Sequence, residues 1–316
     1  MSSAGAPEVV EVGDGVFAYV QPDGSWYLNN TGFLAGRRGV ICIDASSTEA
    51  RTRALLRTVA QVSDRPVRTL VNTHHHGDHT YGNYLFGGAT IVGHERTRDA
   101  VLAQGPPGAL PYWTPVEWGD VEVEPPFLTF TDGVTLYRDD LRVECRYVGT
   151  PAHTTNDSVV WIPEQSVLFC GDLLFNGGTP FLLMGSIEGA LAALEDLRGY
   201  PARTIVPGHG PVVAGAAACA ELIDRTAGYL RFVRDRAAEA HAAGLTPLAA
   251  GRETDLGRYA GLLDPERIVG NLHRAYAEVE DTAAGGPVDR GRPIDLAAAL
   301  DDMVTYNGGR PLTCHA

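Results

Sequence analysis

The sequence predicts a layered α/β protein with its active site along one sheet edge, and three observations carry that prediction. Strand-like and helix-like segments alternate over the first two thirds of the chain. Four apolar strand segments each end within a few residues of a histidine or an aspartate, which is how α/β proteins assemble sites from loops at the ends of rigid strands. The 316 residues, 44% hydrophobic, can fill a large core and support an appendage.

In chain order, Val16 to Val20 and Val40 to Ile43 are β-rich runs that end at polar or turn residues. Over residues 48–62, Leu55, Leu56, Val59 and Val62 share one helical face. The apolar strand 69–71 runs directly into Thr73-His74-His75-His76-Gly77-Asp78-His79. Residues 141–148 alternate Leu141, Val143, Cys145 and Tyr147 with polar residues and end near His153. The strand 166–170 stops at Gly171-Asp172, and 203–206 stops at Pro207-Gly208-His209-Gly210. Beyond Val213 the texture becomes alanine-rich and helical, so the chain divides into a catalytic domain over 1–213 and a helical extension over 214–316 packed on it. There Asp264-Pro265 reads as an N-cap with proline at the first helical position, followed by the stripe Ile268, Leu272, Tyr276 and Val279. Residues 295–306 read as a last helix, stopped by Gly308.

A formal net charge of −14 repels polyanions, which argues against a nucleic-acid substrate and against an acidic membrane surface. The opening MSSAGAPEVVEV has no basic segment followed by an apolar run, and no stretch reaches the roughly 18 apolar residues of a membrane span; the expectation is a cytoplasmic protein. Five scattered cysteines without a CxxC pair argue against a disulfide framework and a thiolate zinc knuckle. Every basic residue is arginine, which excludes Schiff-base chemistry on a lysine amine.

The histidine cluster is the sharpest signal. Of ten histidines, four fall between His74 and His79, with Asp78 among them. Alternate residues of an extended segment point the same way, so His74 and His76 reach one cation, Asp78 and His79 serve a second, and His75 faces elsewhere. So short a loop cannot complete two coordination shells. The remaining ligands must come from distant strand ends, and His153, Asp172 and His209 are the candidates. The set fits two divalent metal ions: His74, His76 and His153 on one, Asp78, His79 and His209 on the other, and Asp172 shared, with Asp78 and Asp172 as the carboxylates at the reacting centre. Metal coordination lowers the pKa of water from 15.7 to about 7, which supplies a nucleophile or base at neutral pH. Zinc is the expected metal; iron and manganese accept the same donors.

The ordered motif His74-x-His76-x-Asp78-His79, His153, Gly171-Asp172 and Pro207-Gly208-His209-Gly210 resembles the metallo-β-lactamase-fold hydrolase superfamily over about residues 8–213. The resemblance implies a four-layer αβ/βα sandwich with the metals at one edge of two sheets. It also implies that Asp44 supports the metal loop, with Thr73 beside it. Fold alone does not settle function. A closer resemblance, over nearly the whole chain, is to the metallo-β-lactamase-fold cyclases of bacterial aromatic polyketide pathways; Trp118-Gly119, Pro180-Phe181, Gly185-Ser186, residues 262–275 and Tyr306-Asn307-Gly308-Gly309 carry it. It implies second-ring closure by aldol condensation and dehydration of an aromatic polyketide held on an acyl carrier protein, then release by thioester hydrolysis. The alternatives on the same metals are a glyoxalase II-like thioesterase or lactonase of small substrates, and an iron-binding redox protein.

Trp26, Tyr27, Trp113 and Phe181 are candidate walls for a flat apolar substrate, and Tyr306 and Asn307 are candidates for the same pocket. His273, beside the apolar stripe of its helix, is a candidate general acid. Arg225, Arg231, Arg234 and Arg236 form a candidate docking face for the carrier protein.

Overall fold

A strand that is apolar on both faces must be covered twice, and Val40 to Ile43 is such a strand. A computed structural model describes residues 5–316. One sheet has the order β1 (Glu8–Gly13), β2 (Val16–Val20), β3 (Thr31–Ala35), β4 (Val40–Ile43), β5 (Val67–Val71), β6 (Thr90–His94) and β7 (Leu128–Phe130). Its first four strands are antiparallel, and β4 to β7 run parallel. The other sheet has the order β13 (Val213–Ala214), β12 (Thr204–Val206), β11 (Val167–Phe169), β10 (Ser158–Ile162), β9 (Leu141–Tyr147) and β8 (Gly133–Arg138). Only β11 and β12 pair in parallel there.

The two-residue side-chain period then sorts the strands into layers. Ile41 and Ile43 face inward with Val71 and Val92 against Val143, Val160 and Phe169, which forms the core between the sheets. Val40 and Cys42 face outward with Leu70 and Ile91, where Leu55 and Val59 of α1 (Glu49–Val62) cover them. On the far side, Val159, Trp161, Leu168 and Ile205 are covered by α4 (Ile187–Leu197), α5 (Ala216–Ala242) and α7 (Arg267–Ala283). Three apolar interfaces separate four layers, the αβ/βα sandwich. The short α2 (Gly77–Thr80) lies within the histidine loop, and α3 (Glu95–Gln104) follows β6 with His94 as its N-cap.

The helical extension shares its apolar cluster with β10, β11 and α4. It adds α6 (Pro247–Glu253) and α8 (Leu296–Tyr306), the latter capped by Asp295, whose carboxylate accepts from the Ala298 N–H. Asp264 does not cap α7 as its sequence position suggested. It stands in the left-handed region at φ +54, and its carboxylate is held by side chains instead of by the helix N–H groups: Ser25 Oγ donates to it at 2.6 Å and Arg267, three residues on, pairs with it at 2.8 Å. The connection 105–127 has no regular structure and crosses toward the site. A parallel bridge pins it, with the Leu312 N–H donating to the Tyr112 carbonyl (2.7 Å) and the Thr114 N–H to the Leu312 carbonyl (2.9 Å).

One glycine tests the frame around the site. A Cβ at Gly185 would stand 1.9 Å from the Ala152 carbonyl oxygen and 2.5 Å from that of His153. Gly185→Ala is therefore expected to lower the free energy of urea unfolding by about 1–3 kcal/mol and to reduce bound metal, whereas Gly87→Ala, with open space at its Cβ, should leave both unchanged.

Candidate metal centre

The expected ligands arrive from separate segments and converge. His74 and His76 follow β5, Asp78 and His79 lie in α2, and His153 lies between β9 and β10; Asp172 follows β11 and His209 follows β12. Asp172 is the hub. Its Oδ2 lies 3.3 Å from Nε2 of both His153 and His209 and 3.9 Å from Nε2 of His74, while its Oδ1 lies 3.0 Å from Nε2 of His79. Asp78 Oδ2 is 3.2 Å from His209 Nε2 and 3.8 Å from His79 Nε2, and His76 Nδ1 is 2.8 Å from His153 Nε2. Donors held about 2.1 Å from a zinc ion at tetrahedral angles lie roughly 3.4 Å apart, so these spacings suit atoms gathered around cations.

Two groups result, His74, His76, His153 and Asp172, and Asp78, His79, Asp172 and His209, each with its ligand atoms within 4.8 Å of one another. The unpartnered atoms support the fit. His74 Nε2 is buried without a hydrogen bond, and the buried His79 Nε2 and Asp172 Oδ1 have no closer polar partner than each other at 3.0 Å, a costly state unless a cation takes their lone pairs. All-imidazole and carboxylate donors in this number suit zinc.

Neighbouring groups set which ring nitrogen is free. Asp44, at φ +58, accepts from the Thr73 N–H (2.8 Å) and Thr73 Oγ1 (2.7 Å), and faces His79 Nδ1 at 2.9 Å. With its proton on Nδ1, His79 turns Nε2 toward the centre. Likewise His153 Nδ1 meets the Phe181 carbonyl at 2.5 Å, which leaves Nε2 for the centre. His75 turns away to Asn156, 3.1 Å from its Nδ1.

The electrostatics divide the histidines. Burial, then the neighbouring imidazoles, push His74 and His76 well below the usual histidine range, so both are neutral. Burial also disfavours charge on His79 and His209, but nearby carboxylates outweigh it. Asp172, Asp44 and Asp78 raise His79 well above its ordinary value, and Asp172 and Asp78 raise His209 to about 9. Asp172 is held well below the carboxylate range, against burial, by His209, His79 and His153. The metal-free centre thus carries protons where cations belong.

Residues 24–209 match the family model of the metallo-beta-lactamase superfamily. The chain belongs to the metallo-beta-lactamase superfamily. It is 36% identical to the hydroxyacylglutathione hydrolase of Rhodospirillum rubrum over 137 residues, covering 43% of this chain and 45% of that protein. The hydroxyacylglutathione hydrolase of Methylococcus capsulatus is 33% identical over 143 residues, with the same coverage of 43% and 45%. The chain therefore spans less than half the length of these relatives. The linear primary-alkylsulfatase of a Pseudomonas species is 23% identical over 321 residues, 86% of this chain and 59% of that protein. Among solved structures, the metallo-beta-lactamase from Pontibacter korlensis superposes with a TM-score of 0.59 at 22% identity, covering 72% of this chain and 99% of that one. The DIM-1 metallo-beta-lactamase gives 0.57 at 20%, covering 73% and 99%. These two share the fold.

In this metallo-beta-lactamase superfamily member the ligand groups form the floor of a cavity of about 330 Å³, walled by Trp26, Tyr27, Trp113, Phe175 and Phe181 together with Leu110, Leu183, Met184, Leu296 and Leu300. Trp26 is its centrepiece. Trp113 and Phe181 meet it edge-on, each at 4.9 Å, the Arg267 guanidinium lies 3.9 Å over its ring, and its N–H donates to Glu266 at 2.7 Å. Tyr27, held at φ +66, packs edge-on against Trp113 and Trp118, both at 5.3 Å.

Three expected site residues lie elsewhere. His273 pairs with Asp302 of α8 at 2.8 Å and is no part of the cavity wall, because α7 turns a different face to the segment 179–188 beside the site. Tyr306 lies beside Gly251 of α6, and Asn307 ends α8 with its amide donating to the Arg310 and Pro311 carbonyls. The last helix reaches the cavity through its first turns, Leu296 and Leu300, rather than its end. Sequence reasoning also missed Tyr81, Phe175 and Arg267. Phe175 stacks on His209 at 5.0 Å; its place three residues after Asp172, like that of Tyr81 two after His79, was the available signal.

Two outcomes follow. Asp44→Asn should weaken zinc binding about 10- to 100-fold in a chelator competition, because His79 loses its carboxylate partner. The raised histidines also give a pH signature. Stabilisation from charged His79 and His209 is complete below their unfolded pKa of about 6.5 and is lost as pH rises through about 9, so the urea midpoint of metal-free protein should fall over that window. Zinc uptake at pH 7.5 should correspondingly expel protons, measurable by calorimetry in buffers of different ionisation heat.

Proposed function

We propose that the chain is a metal-dependent thioester hydrolase whose acyl substrate is apolar and aromatic. The observation that carries this reading is the joining of the ligand floor and the aromatic wall in one cavity. The relatives named hydroxyacylglutathione hydrolase support hydrolysis of a thioester. The cavity argues for a different acyl group. Apart from its tyrosines and the floor, the hydrophilic side chains of its wall are Gln104 and Arg267, and Arg267 is already engaged by the Thr179 carbonyl at 2.9 Å and by Asp264 at 2.8 Å. Such a wall suits rings better than a small hydroxyacyl group.

His74, His76 and His153 would hold one cation and Asp78, His79 and His209 the other, with Asp172 between them. When bound, such cations polarise a carbonyl and bring the pKa of water to about 7, supplying an electrophilic centre and a nucleophile. The aromatic wall orients the acyl group with its carbonyl toward the floor and excludes bulk water. Burial, then the charge of Asp78, pushes Tyr81 up to about 12, so it keeps its proton and offers a hydrogen-bond donor at the wall. Tyr27 is raised well above its usual range by burial, then by Tyr81 and Asp78, and offers a second.

Ring closure is the second reading, favoured by the same enclosed apolar wall. It can hold a folded aromatic polyketide, delivered on an acyl carrier protein, with its carbon nucleophile against the carbonyl it attacks. The docking face expected for that carrier is partly occupied. Arg225 donates to Asn176 (3.0 Å), Arg234 pairs with Asp235 (3.1 Å) and Arg236 donates to Thr254 (3.0 Å), while Arg231 is exposed.

The test compares zinc-loaded protein on an N-acetylcysteamine thioester of a two-ring aromatic acid and on lactoylglutathione. The aromatic thioester should show a kcat/KM at least about 10-fold higher, chelation should abolish turnover, and Trp113→Ala should raise KM for the aromatic substrate with little change in kcat. Preference for lactoylglutathione would sink the aromatic reading and leave a small-substrate hydrolase. On an N-acetylcysteamine thioester that carries one ring and an uncyclised poly-β-ketone chain, a ring-closed product that has lost water, appearing before thiol release, would establish the second reading.

A further inference from the structure

α7 buries a line of polar side chains. Arg267, Asn271, Arg274 and Glu278 are 1%, 0%, 3% and 5% exposed, and their spacing places them along one helical face. Polar groups buried this deeply cost stability unless they are bonded, and each of these finds a partner in residues 179–188. Arg267 donates to the Thr179 carbonyl (2.9 Å), Arg274 to the Leu183 carbonyl (3.0 Å), and Glu278 accepts from the Ile187 and Glu188 N–H groups (2.7 and 3.1 Å).

Asn271 holds the middle of this seam. Its amide nitrogen donates to the Pro180 carbonyl at 2.8 Å, and its amide oxygen accepts from the Leu182 N–H at 2.9 Å. It therefore brackets Phe181, fixing the peptide groups on both sides. Phe181 in turn presents its carbonyl to His153 Nδ1 at 2.5 Å and its ring to Trp26 at 4.9 Å. Only a side chain that donates and accepts at once can make both bonds, and asparagine is the smallest amide that does so.

We infer that Asn271 is a positioning residue for the cation site of His74, His76, His153 and Asp172. By immobilising the Phe181 backbone, it holds His153 with Nε2 directed at that site. Asn271 thereby bears on one of the two metal sites and not the other, since Asp78, His79 and His209 take no support from residues 179–183 among their hydrogen-bond partners. This inference concerns metal affinity alone and stands whatever acyl group the cavity takes.

The experiment is a zinc titration of the metal-stripped full chain against a chromophoric chelator, run beside urea unfolding. Asn271→Asp keeps the acceptor and loses the donor, Asn271→Leu loses both, and Asn271→Thr is the milder substitution should either fail to fold. His153→Ala identifies which affinity belongs to the His153 site. Glu278→Gln is the control, because it disturbs the same seam where it touches residues 186–188. The Asn271 variants should weaken the His153 site about 10-fold, at the lower end of what outer ligand supports contribute, with the other site unchanged. Glu278→Gln should lower stability with both sites intact. Equal weakening of both sites, or wild-type zinc affinities in an Asn271 variant that merely unfolds earlier, would overturn the inference and make the seam a packing device only.

Discussion

Everything at the histidine-lined edge of the two sheets depends on one carboxylate. Asp172 stands within 3.9 Å of imidazole nitrogens from four histidines, two carried from the first sheet and two from the second. Imidazoles buried together lose solvation and repel one another's charge, and at His74 and His76 these effects outweigh the attraction of Asp172 and hold both rings well below their ordinary range. The shared anion lets donors from both sheets approach as closely as cations require, and it ties the edges of the sheets together.

The glycines of the motif follow from that crowding. A Cβ at Gly208 would lie 1.9 Å from Asp172 Oδ1, and one at Gly171, which stands at φ +49, would lie 2.7 Å from Thr73 Oγ1. Gly77 faces the Tyr81 ring at 2.2 Å in the same sense. Small residues flank the ligands because carboxylate, hydroxyl and ring must pass through the space a side chain would fill. Asp44 carries the left-handed backbone for a related reason: three donors converge on its carboxylate, and their bonds outweigh the strain of about 1–3 kcal/mol.

The short motifs behind the closer family resemblance find structural roles in this frame. Gly119, at φ +81, faces Glu49; Gly185 faces the Ala152 carbonyl; Pro180 is held by Asn271; and Ser186 caps α4. They build the walls and the brace, so likeness in them speaks for a similar cavity frame more than for a reaction. The thioester of a ring-bearing acid proposed above draws its thioester from the names of the hydrolases among the relatives and its rings from the apolar wall.

The sequence by itself determined the parts whose physics is local. Strand and helix periods placed Val16–Val20, Val40–Ile43 and four further strands, together with α1 and α8, to within about two residues, and the ligand residues were legible because imidazoles and carboxylates at such spacing suit two cations. The tertiary structure alone decided which distant faces meet. α7 carries both an apolar stripe at Ile268, Leu272 and Tyr276 and a polar seam at Arg267, Asn271, Arg274 and Glu278, all buried. His273 looked like a site residue because the stripe was legible, whereas the seam was not. What selects the face is the set of unpaired backbone carbonyls and N–H groups in residues 179–188, which have no regular partners until the helix arrives to supply them. Leu296 and Leu300 entered the cavity in place of Tyr306 and Asn307 for the same kind of reason: a helix shows its own period in the sequence, but not the direction from which it approaches another element.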